Sequence, residues 1–206
     1  HRVENSVVEL VKFDNSNFKM TTEVSQDAFA EYSNYSLRPS LANTDIKLKN
    51  KIDNHSLPAG RICCVNVGVV AHAASDSNLD FKKADVIYEH SEEGFKQYIE
   101  GSDISRYHIN WTGRYIDYES KKDHFHRPKF PELFESEKIV VPRVSGANNQ
   151  IESCFDNSGY YSNDNVTNVV LWTDEMQELQ SPKNFDPLES TDDYDIRTLC
   201  GIFNSK

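Results

Sequence analysis

The sequence predicts a mixed α/β fold, of the α+β type, in which a β-rich centre is flanked by helices. Short apolar runs rich in Val, Ile and Tyr, separated by turn residues, dominate the middle of the chain and favour strands. Helical spacing of apolar residues lies toward the two flanks. A chain of 206 residues buries about 70% of its unfolded surface, so its core needs no disulfide or metal. We expect a single β-rich domain over residues 1–206, ending at the start of a following helix.

The N-terminal flank predicts two helices. Residues 3–13 are apolar with mixed periodicity and favour neither helix nor strand. Residues 21–31 predict a short helix, because a threonine that can cap it precedes apolar residues at helical spacing. Residues 45–51 predict a second helix, with Ile46, Ile52 and Leu48 turned toward the core.

The central region predicts strands joined by short turns. Residues 61–70 form a nearly continuous apolar run that predicts a buried strand turning at Gly68. Gly101 and Asp103 predict a tight turn, because the Asp103 side chain can accept from the backbone N–H groups that follow it. A C-terminal helix is predicted over residues 196–203. The remaining predicted strands span residues 95–99, 114–118, 138–144, 151–155 and 165–171.

The charge of the chain is strongly acidic but unevenly distributed. The formal net charge is −11 and the isoelectric point about 5.1, which excludes a uniformly basic coat for nucleic acid. Residues 174–195 hold eight acidic residues and one lysine. Residues 96–143 hold nine basic residues, eight aromatic residues and three histidines. Interleaved bases and aromatics fit a nucleic-acid surface, and they equally fit a half-buried sheet with a polar face.

Membrane and secretory signals are missing from the sequence. No apolar run approaches the roughly 20 residues of a membrane span, and the first residues lack a signal-peptide core. Cys63 and Cys64 lie in an apolar run, which indicates core thiols in a reducing compartment. We therefore expect a cytoplasmic protein. Residue 1 is not Met, so we expect a processed chain or a piece of a longer one.

Motifs for catalysis are weak. No two glycines have the G-x-G spacing of a phosphate-binding loop, and no G-x-S-x-G turn occurs. His124 and His126 would share a strand face but lack a third ligand. Asp103 and Asp117, followed by the Glu119-Ser120-Lys121 triplet, leave a metal-dependent nuclease open as an alternative.

Residues 98–107 (YIEGSDISRY) carry the first specific motif. They resemble the Y-x-x-G-x-D-I-x-R-Y signature of TaqI-like specificity domains, the target-recognition domains of N6-adenine DNA methyltransferases and type IIG restriction–modification enzymes. The resemblance implies that Gly101, Asp103, Ile104 and Tyr107 shape this motif.

Further blocks follow in the order that the family shows. Residues 115–118 supply a strand, and residues 132–144 are similar to the family's LF-x-x-x-KI block, which ends at an arginine. Residues 156–169 resemble its D-x-x-G-x-Y block and the following strand. Residues 199–206 are similar to the LL-x-x-LNS start of a helix. The resemblance covers about residues 22–206.

The family resemblance implies that this chain recognises double-stranded DNA and is itself not catalytic. An upstream methyltransferase domain of the same chain would supply catalysis, with S-adenosylmethionine and Mg²⁺ in the parent enzyme and no cofactor here. A protein-interaction domain built on the aromatic residues is a further alternative. The residues that we expect to contact DNA are His72, Ser75, Asn78, Arg106, Lys121, Lys122, Arg127, Lys129, Arg143, Asn148, Asn149 and Gln150.

Overall fold

A computed structural model describes residues 6–14, 17–26, 43–70, 82–144, 151–180 and 186–205. The chain forms two compact units, His1–Leu57 and Pro58–Lys206. Both helices and several sheets are present, which confirms the predicted mixed α/β class. Each unit is described by itself.

In the first unit a two-stranded antiparallel ribbon precedes a helix. The ribbon pairs β1 (Val7–Asp14) with β2 (Asn17–Ser25), and its register shifts between Leu10 and Val11. The helix predicted at residues 21–31 is therefore wrong up to Ser25, and its second half lies outside the described residues. The β-branched residues of this stretch suit a strand once a partner strand is available.

The second predicted helix of this unit is confirmed as α1 (Asn43–Asp53). The predicted inward orientation of Leu48 and Ile52 is wrong, because these residues are 58% and 54% exposed. The side chain of Ile46 lies outside the described residues.

The second unit contains ten strands and four α-helices among its described residues. The helices are α2 (Ala59–Ile62), α3 (Glu132–Glu135), α4 (Asp174–Leu179) and α5 (Ile196–Phe203). The strands are β3 (Cys63–Val67), β4 (Ile87–Tyr88), β5 (Lys96–Ile99), β6 (Ile104–Ser105), β7 (His108–Ile109), β8 (Tyr115–Ile116), β9 (Lys138–Pro142), β10 (Cys154–Asp156), β11 (Tyr161–Ser162) and β12 (Val166–Leu171).

One sheet has the strand order β10-β9-β12-β3, with every neighbouring pair antiparallel. Since β3 and β9 both run against β12, they run in the same direction and end at the same edge of the sheet. The register confirms this: Val67 pairs with Thr167, which pairs with Val141 on its other side. The segments that follow β3 and β9 therefore leave from one end.

A second sheet has the order β11-β5-β8-β4, in which β11 runs parallel to β5 and the other pairs are antiparallel. Strands β6 and β7 form a short separate hairpin. The largest core cluster contains Tyr118, Phe134 and Tyr161, whose rings lie 4.4 to 6.0 Å apart. Stacked and edge-on aromatic pairs of this kind add to the apolar burial.

The local predictions for this unit hold in most places. The strands predicted at residues 95–99, 114–118, 138–144 and 165–171 correspond to β5, β8, β9 and β12, and the C-terminal helix matches α5. The strand predicted from residue 61 begins only at Cys63, because residues 59–62 form the turn of helix α2. Asp195 caps α5 by accepting from the backbone N–H groups of Arg197 and Thr198.

All four cysteines are buried and free of disulfides. Burial raises the pKa values of the Cys63 and Cys64 thiols to about 11, so both are protonated at neutral pH. Their apolar surroundings agree with the core role predicted for them.

No helix among the described residues is long and apolar enough to cross a membrane.

Candidate nucleic-acid interface

The turn at Gly101–Asp103 is held by the side chain of Asp103, which is 6% exposed. Its carboxylate accepts from the backbone N–H of Glu100 at 2.7 Å and from the guanidinium of Arg114. A Cβ on Gly101 would lie 3.3 Å from the backbone oxygen of Asn165, so glycine permits close packing here. Both motif residues therefore shape the turn.

Glu100 connects this turn to three other side chains. It forms ion pairs with Lys83 and with Arg114, the latter at 3.0 Å, and accepts from the Tyr98 hydroxyl at 3.3 Å. Burial alone would raise the pKa of Glu100, but the hydrogen bonds from Lys83 and Arg114 hold it below its usual value. The turn is thus fixed by charge-assisted contacts, to which Arg114 contributes without any local sequence signal.

The other two residues of the first motif also take part in folding. Ile104 is buried at 6% exposure. Tyr107 adopts a left-handed backbone conformation with φ of 62°, and its N–H donates to the carbonyl of Ser153 at 2.9 Å. The motif is thereby joined to the segment that leads into β10.

A buried ion pair links the family block at residues 132–144 to the block at residues 156–169. The ammonium of Lys138 lies 2.5 Å from the Asp156 carboxylate, and both side chains are almost fully buried. Lys138 also donates to the carbonyl of Phe134. Asp156 accepts from the backbone N–H groups of Ser158 and Tyr160, at 2.7 and 3.1 Å. This pair fixes the turn at Gly159 against β9.

The C-terminal family block, residues 199–206, is bonded to the segment before β10. The side-chain amide of Asn204 exchanges two hydrogen bonds with the backbone of Ser153, at 3.0 and 2.9 Å. The guanidinium of half-buried Arg106 donates to the backbone carbonyl of Asn204. Arg106 therefore has a partner within the protein, and its predicted contact with DNA stays a prediction.

A family model of the TaqI-like C-terminal specificity domain matches residues 96–206. The chain belongs to this family. No curated protein matches the chain. The family assigns a DNA-recognition domain of restriction–modification enzymes, and the contacts above join its characteristic blocks into one structure.

Two predicted base-contacting segments of this specificity domain begin at the same end of the first sheet. Residues 71–78 follow Val70, and residues 145–150 follow Val144. A cavity of about 360 Å³ opens at this end between Gly101, Val144 and Asn165. The predicted contacts in these segments lie outside the described residues: His72, Ser75, Asn78, Asn148, Asn149 and Gln150.

Basic residues lie at this end as well. Arg143 is exposed directly after β9, and its guanidinium donates to the backbone carbonyl of Asp164 at 3.1 Å. The segment that carries Arg127 and Lys129 lies beside Val70, since the N–H of His126 donates to the Val70 carbonyl at 3.1 Å. The two segments therefore begin at the same end of the first sheet. Three of the basic residues predicted to contact DNA also lie at that end: Arg127, Lys129 and Arg143.

The other two predicted lysines lie earlier in the same specificity-domain segment. Lys121 and Lys122 are both half-buried, and the Lys122 ammonium lies 6.0 Å from the ring centroid of Tyr118. Lys129 is half-buried too and donates to the Asn66 side chain at 2.9 Å, so its ammonium is held.

The acidic segment, residues 174–195, begins at the opposite end of the sheet. Its helix α4 runs back toward the end of β3, where the side chain of Asn66 donates to that of Gln180 at 2.6 Å. Leu171, the last residue of β12, pairs with Cys63 at the start of β3. The residues after the helix α4 return to this end, because Arg61 donates to the carbonyl of Asp186 at 3.0 Å and accepts from Leu188 at 2.9 Å. Residues 186–188 are therefore separated from the segment origins by the length of β3.

The nuclease alternative gains no support from the geometry of its carboxylates. Asp103 is occupied by Glu100 and Arg114, and Asp117 accepts from the hydroxyl of Ser120. Within the described parts of the chain, no group of three or more His, Cys, Asp or Glu side chains is placed to hold a metal ion.

Proposed function

We propose that this chain recognises a specific sequence in double-stranded DNA and holds that DNA for adenine N6 methylation by an upstream catalytic domain of the same polypeptide. The observation that carries the proposal is the common end of β3 and β9, from which two polar segments leave beside basic residues. A rigid sheet that presents adjacent loops is a suitable scaffold for reaching into a DNA groove.

The distribution of charge also supports the common end of β3 and β9 as the DNA-binding surface. Arg143 and Arg127 lie at the end from which the segments leave, whereas residues 186–188 with Asp186 pack at the opposite end. An acidic protein can bind DNA when its positive groups collect on one surface, because affinity depends on local contacts with phosphates. We expect the acidic end to point away from the duplex.

We infer that DNA recognition and methyl transfer are carried out by different domains of the parent enzyme. Methyl transfer would be carried out by the upstream domain, with S-adenosylmethionine as methyl donor and Mg²⁺ for any cleavage, in a cytoplasmic restriction–modification enzyme of type IIG. The present chain would bind, orient and select DNA, and it would bind none of these cofactors itself.

Titration of the chain with labelled double-stranded DNA at low and moderate salt tests the proposal. We expect weak binding whose logarithmic affinity falls linearly with the logarithm of the salt concentration. The same preparation should neither methylate DNA with S-adenosylmethionine nor cleave it with Mg²⁺. Salt-independent binding or no binding would favour a protein-interaction domain, and Mg²⁺-dependent cleavage would favour the nuclease.

Base contacts are proposed for the amide side chains of residues 148–150. Asn and Gln can pair bidentately with adenine in the major groove, so each contact discriminates between bases. In the intact enzyme, Asn149→Ala should relax the recognised sequence at one position while leaving the melting temperature unchanged. An unaltered site preference across a randomised DNA library would move the proposed base contacts to residues 71–78.

A further inference from the structure

The segment between His126 and Lys129 is fixed at both ends. The N–H of His126 donates to the carbonyl of Val70 at 3.1 Å. At the other end the Tyr118 hydroxyl accepts from the Lys129 N–H at 2.7 Å and donates to the Lys129 carbonyl at 2.6 Å. Tyr118 is fully buried and stacks on Phe125, with ring centroids 5.2 Å apart. The two residues between these anchors have little freedom to move.

Arg127 lies between the anchors in a conformation that arginine rarely adopts. Its φ is 56°, in the left-handed region, and the next residue is Pro128. A side chain bearing a Cβ is disfavoured there, and a following proline restricts the residue further. Backbone outliers of this kind persist where surrounding contacts impose them, and they concentrate at functional sites.

The Arg127 side chain is exposed and carries no hydrogen bond or ion pair within the described part of the chain. Its charge faces a second cation: burial first, and then the nearby Arg127 guanidinium, lower the pKa of Lys129. Lys129 in turn is held by the side chain of Asn66. Two neighbouring positive charges and a left-handed arginine backbone are each unfavourable for the stability of a loop.

Position adds a further constraint. Val70, which anchors His126, is the last described residue before the segment 71–78, one of the two proposed to enter a DNA groove. Arg127 therefore follows directly after a residue whose backbone is bonded to Val70. Lys121 and Lys122 precede these anchors, in a turn where their carbonyls accept from the backbone N–H groups of His124 and Phe125.

From these contacts we propose that Arg127 determines specificity by donating to the major-groove edge of a guanine in the recognised sequence. A planar guanidinium can donate two parallel hydrogen bonds to the O6 and N7 atoms of guanine, and this recognition requires a defined orientation. Two anchors and an imposed backbone conformation provide that orientation, whereas a phosphate contact would need only a nearby positive charge. This inference rests on the proposed function.

Selection from a randomised double-stranded DNA library by the full chain tests the inference. Wild type, Arg127→Lys and Arg127→Ala are compared, with Lys122→Ala as the matched control. We expect wild type to prefer guanine at one position, and both Arg127 variants to lose that preference by roughly 5- to 150-fold. Arg127→Lys keeps the charge, so its salt dependence should match wild type. Lys122→Ala should leave every base preference intact.

The outcomes separate the possible failures. If Arg127→Lys retains the guanine preference, or if Arg127→Ala weakens all sequences equally, then Arg127 contacts phosphate and the inference is wrong while the proposed function stands. If wild type selects no sequence at all, both the inference and the proposed function fail. Unchanged melting temperatures of the variants exclude misfolding as the cause.

Discussion

Asn204 and Ser153 are joined by two reciprocal hydrogen bonds: the Ser153 N–H donates to the Asn204 Oδ1 at 3.0 Å, and the Asn204 Nδ2 donates to the Ser153 carbonyl at 2.9 Å. The amide thus pairs with the backbone as a neighbouring strand would. The carbonyl of Ser153 also accepts from Tyr107, and Asn204 accepts from Arg106. Asn204 therefore connects the end of helix α5 to the segment before β10, through Ser153, and to the first block of the family motif, through Arg106.

Replacing Asn204 should destabilise the domain. Asn204→Ala leaves the buried N–H of Ser153 without a partner and its carbonyl with one partner fewer, and each buried polar group left unpaired costs roughly 1–3 kcal/mol. Urea unfolding followed by circular dichroism should show a lower midpoint. Ser205→Ala, which removes only an exposed hydroxyl bond to Ile202, is the control and should change stability by less than about 0.5 kcal/mol. Equal midpoints for both variants would contradict the role of the Asn204 amide.

The Lys138–Asp156 pair should be costly to break from either side. Lys138→Met leaves a buried carboxylate without its partner, and such changes cost roughly 3–5 kcal/mol. Asp156→Asn should cost as much, since Asp156 also holds Ser158 and Tyr160. Lys96→Met, which breaks the exposed Lys96–Glu135 pair, should cost about 0–1 kcal/mol. Similar losses for the buried and exposed pairs in thermal unfolding would refute this assignment.

Gly68 should tolerate no side chain. A Cβ there would lie 2.2 Å from the Ser162 carbonyl oxygen and 2.3 Å from that of Asn163, so the backbone would have to move. Gly68→Ala should therefore lower the melting temperature markedly or prevent folding. Gly201→Ala is the control: a methyl group at that position in α5 would have no neighbouring atom within 4 Å, and alanine favours helices by up to about 1 kcal/mol. The two substitutions should act in opposite directions.

Stability should fall at alkaline pH because of the buried thiols. Burial raises the pKa values of Cys63, Cys64 and Cys154 from 9.0 to about 11, so the folded state retains protons that the unfolded state loses. This contribution is complete below pH 9 and is lost as the pH rises from 9 to 11. Urea unfolding from neutral pH to the upper end of this range should show the decline, and Cys64→Ala should make it shallower. A flat profile across this range would count against the burial of these thiols.

Lys121 and Lys122 should contribute affinity without sequence choice. Replacing both with Ala in the full enzyme removes two positive charges near a strand end, so binding to every sequence should weaken. The slope of logarithmic affinity against logarithmic salt should fall by about one for each phosphate that the protein no longer neutralises. Arg61→Ala, at the opposite end of the first sheet, should leave binding unchanged. Weaker binding confined to one DNA sequence would show that these lysines contact bases.

The sequence predicts the elements whose signals are local. The apolar runs of β9 and β12 and the helical spacing of apolar residues in α5 are visible within a few residues, and all three elements form where predicted. The helix predicted at residues 21–31 fails because pairing with β1, a non-local contact, decides for a strand. Local spacing carries no information about such a partner.

In the candidate site, too, the features set by local sequence could be predicted and the non-local contacts could not. The turn of Gly101 and Asp103 follows from residue chemistry and forms where predicted, but Asp103 accepts from the preceding N–H of Glu100 rather than from a following one. The partnership of Asp103 with Arg114 could not be predicted, because β-sheet pairing and loop packing bring those residues together. The Ser153–Asn204 bonds span 51 positions, and the anchoring of Lys129 by Tyr118 depends on the packed aromatic core. Sequence reasoning finds the motif residues but not the contacts that join them.

The structure of this chain bound to its selected DNA duplex tests the central claim most directly. Our account predicts that residues 71–78, 126–129 and 145–150 contact the duplex, while Asp186 and Leu188 lie away from it. Contacts confined to the acidic end, or a duplex that touches none of these three segments, would contradict the proposal that the common end of β3 and β9 is the DNA-recognition surface.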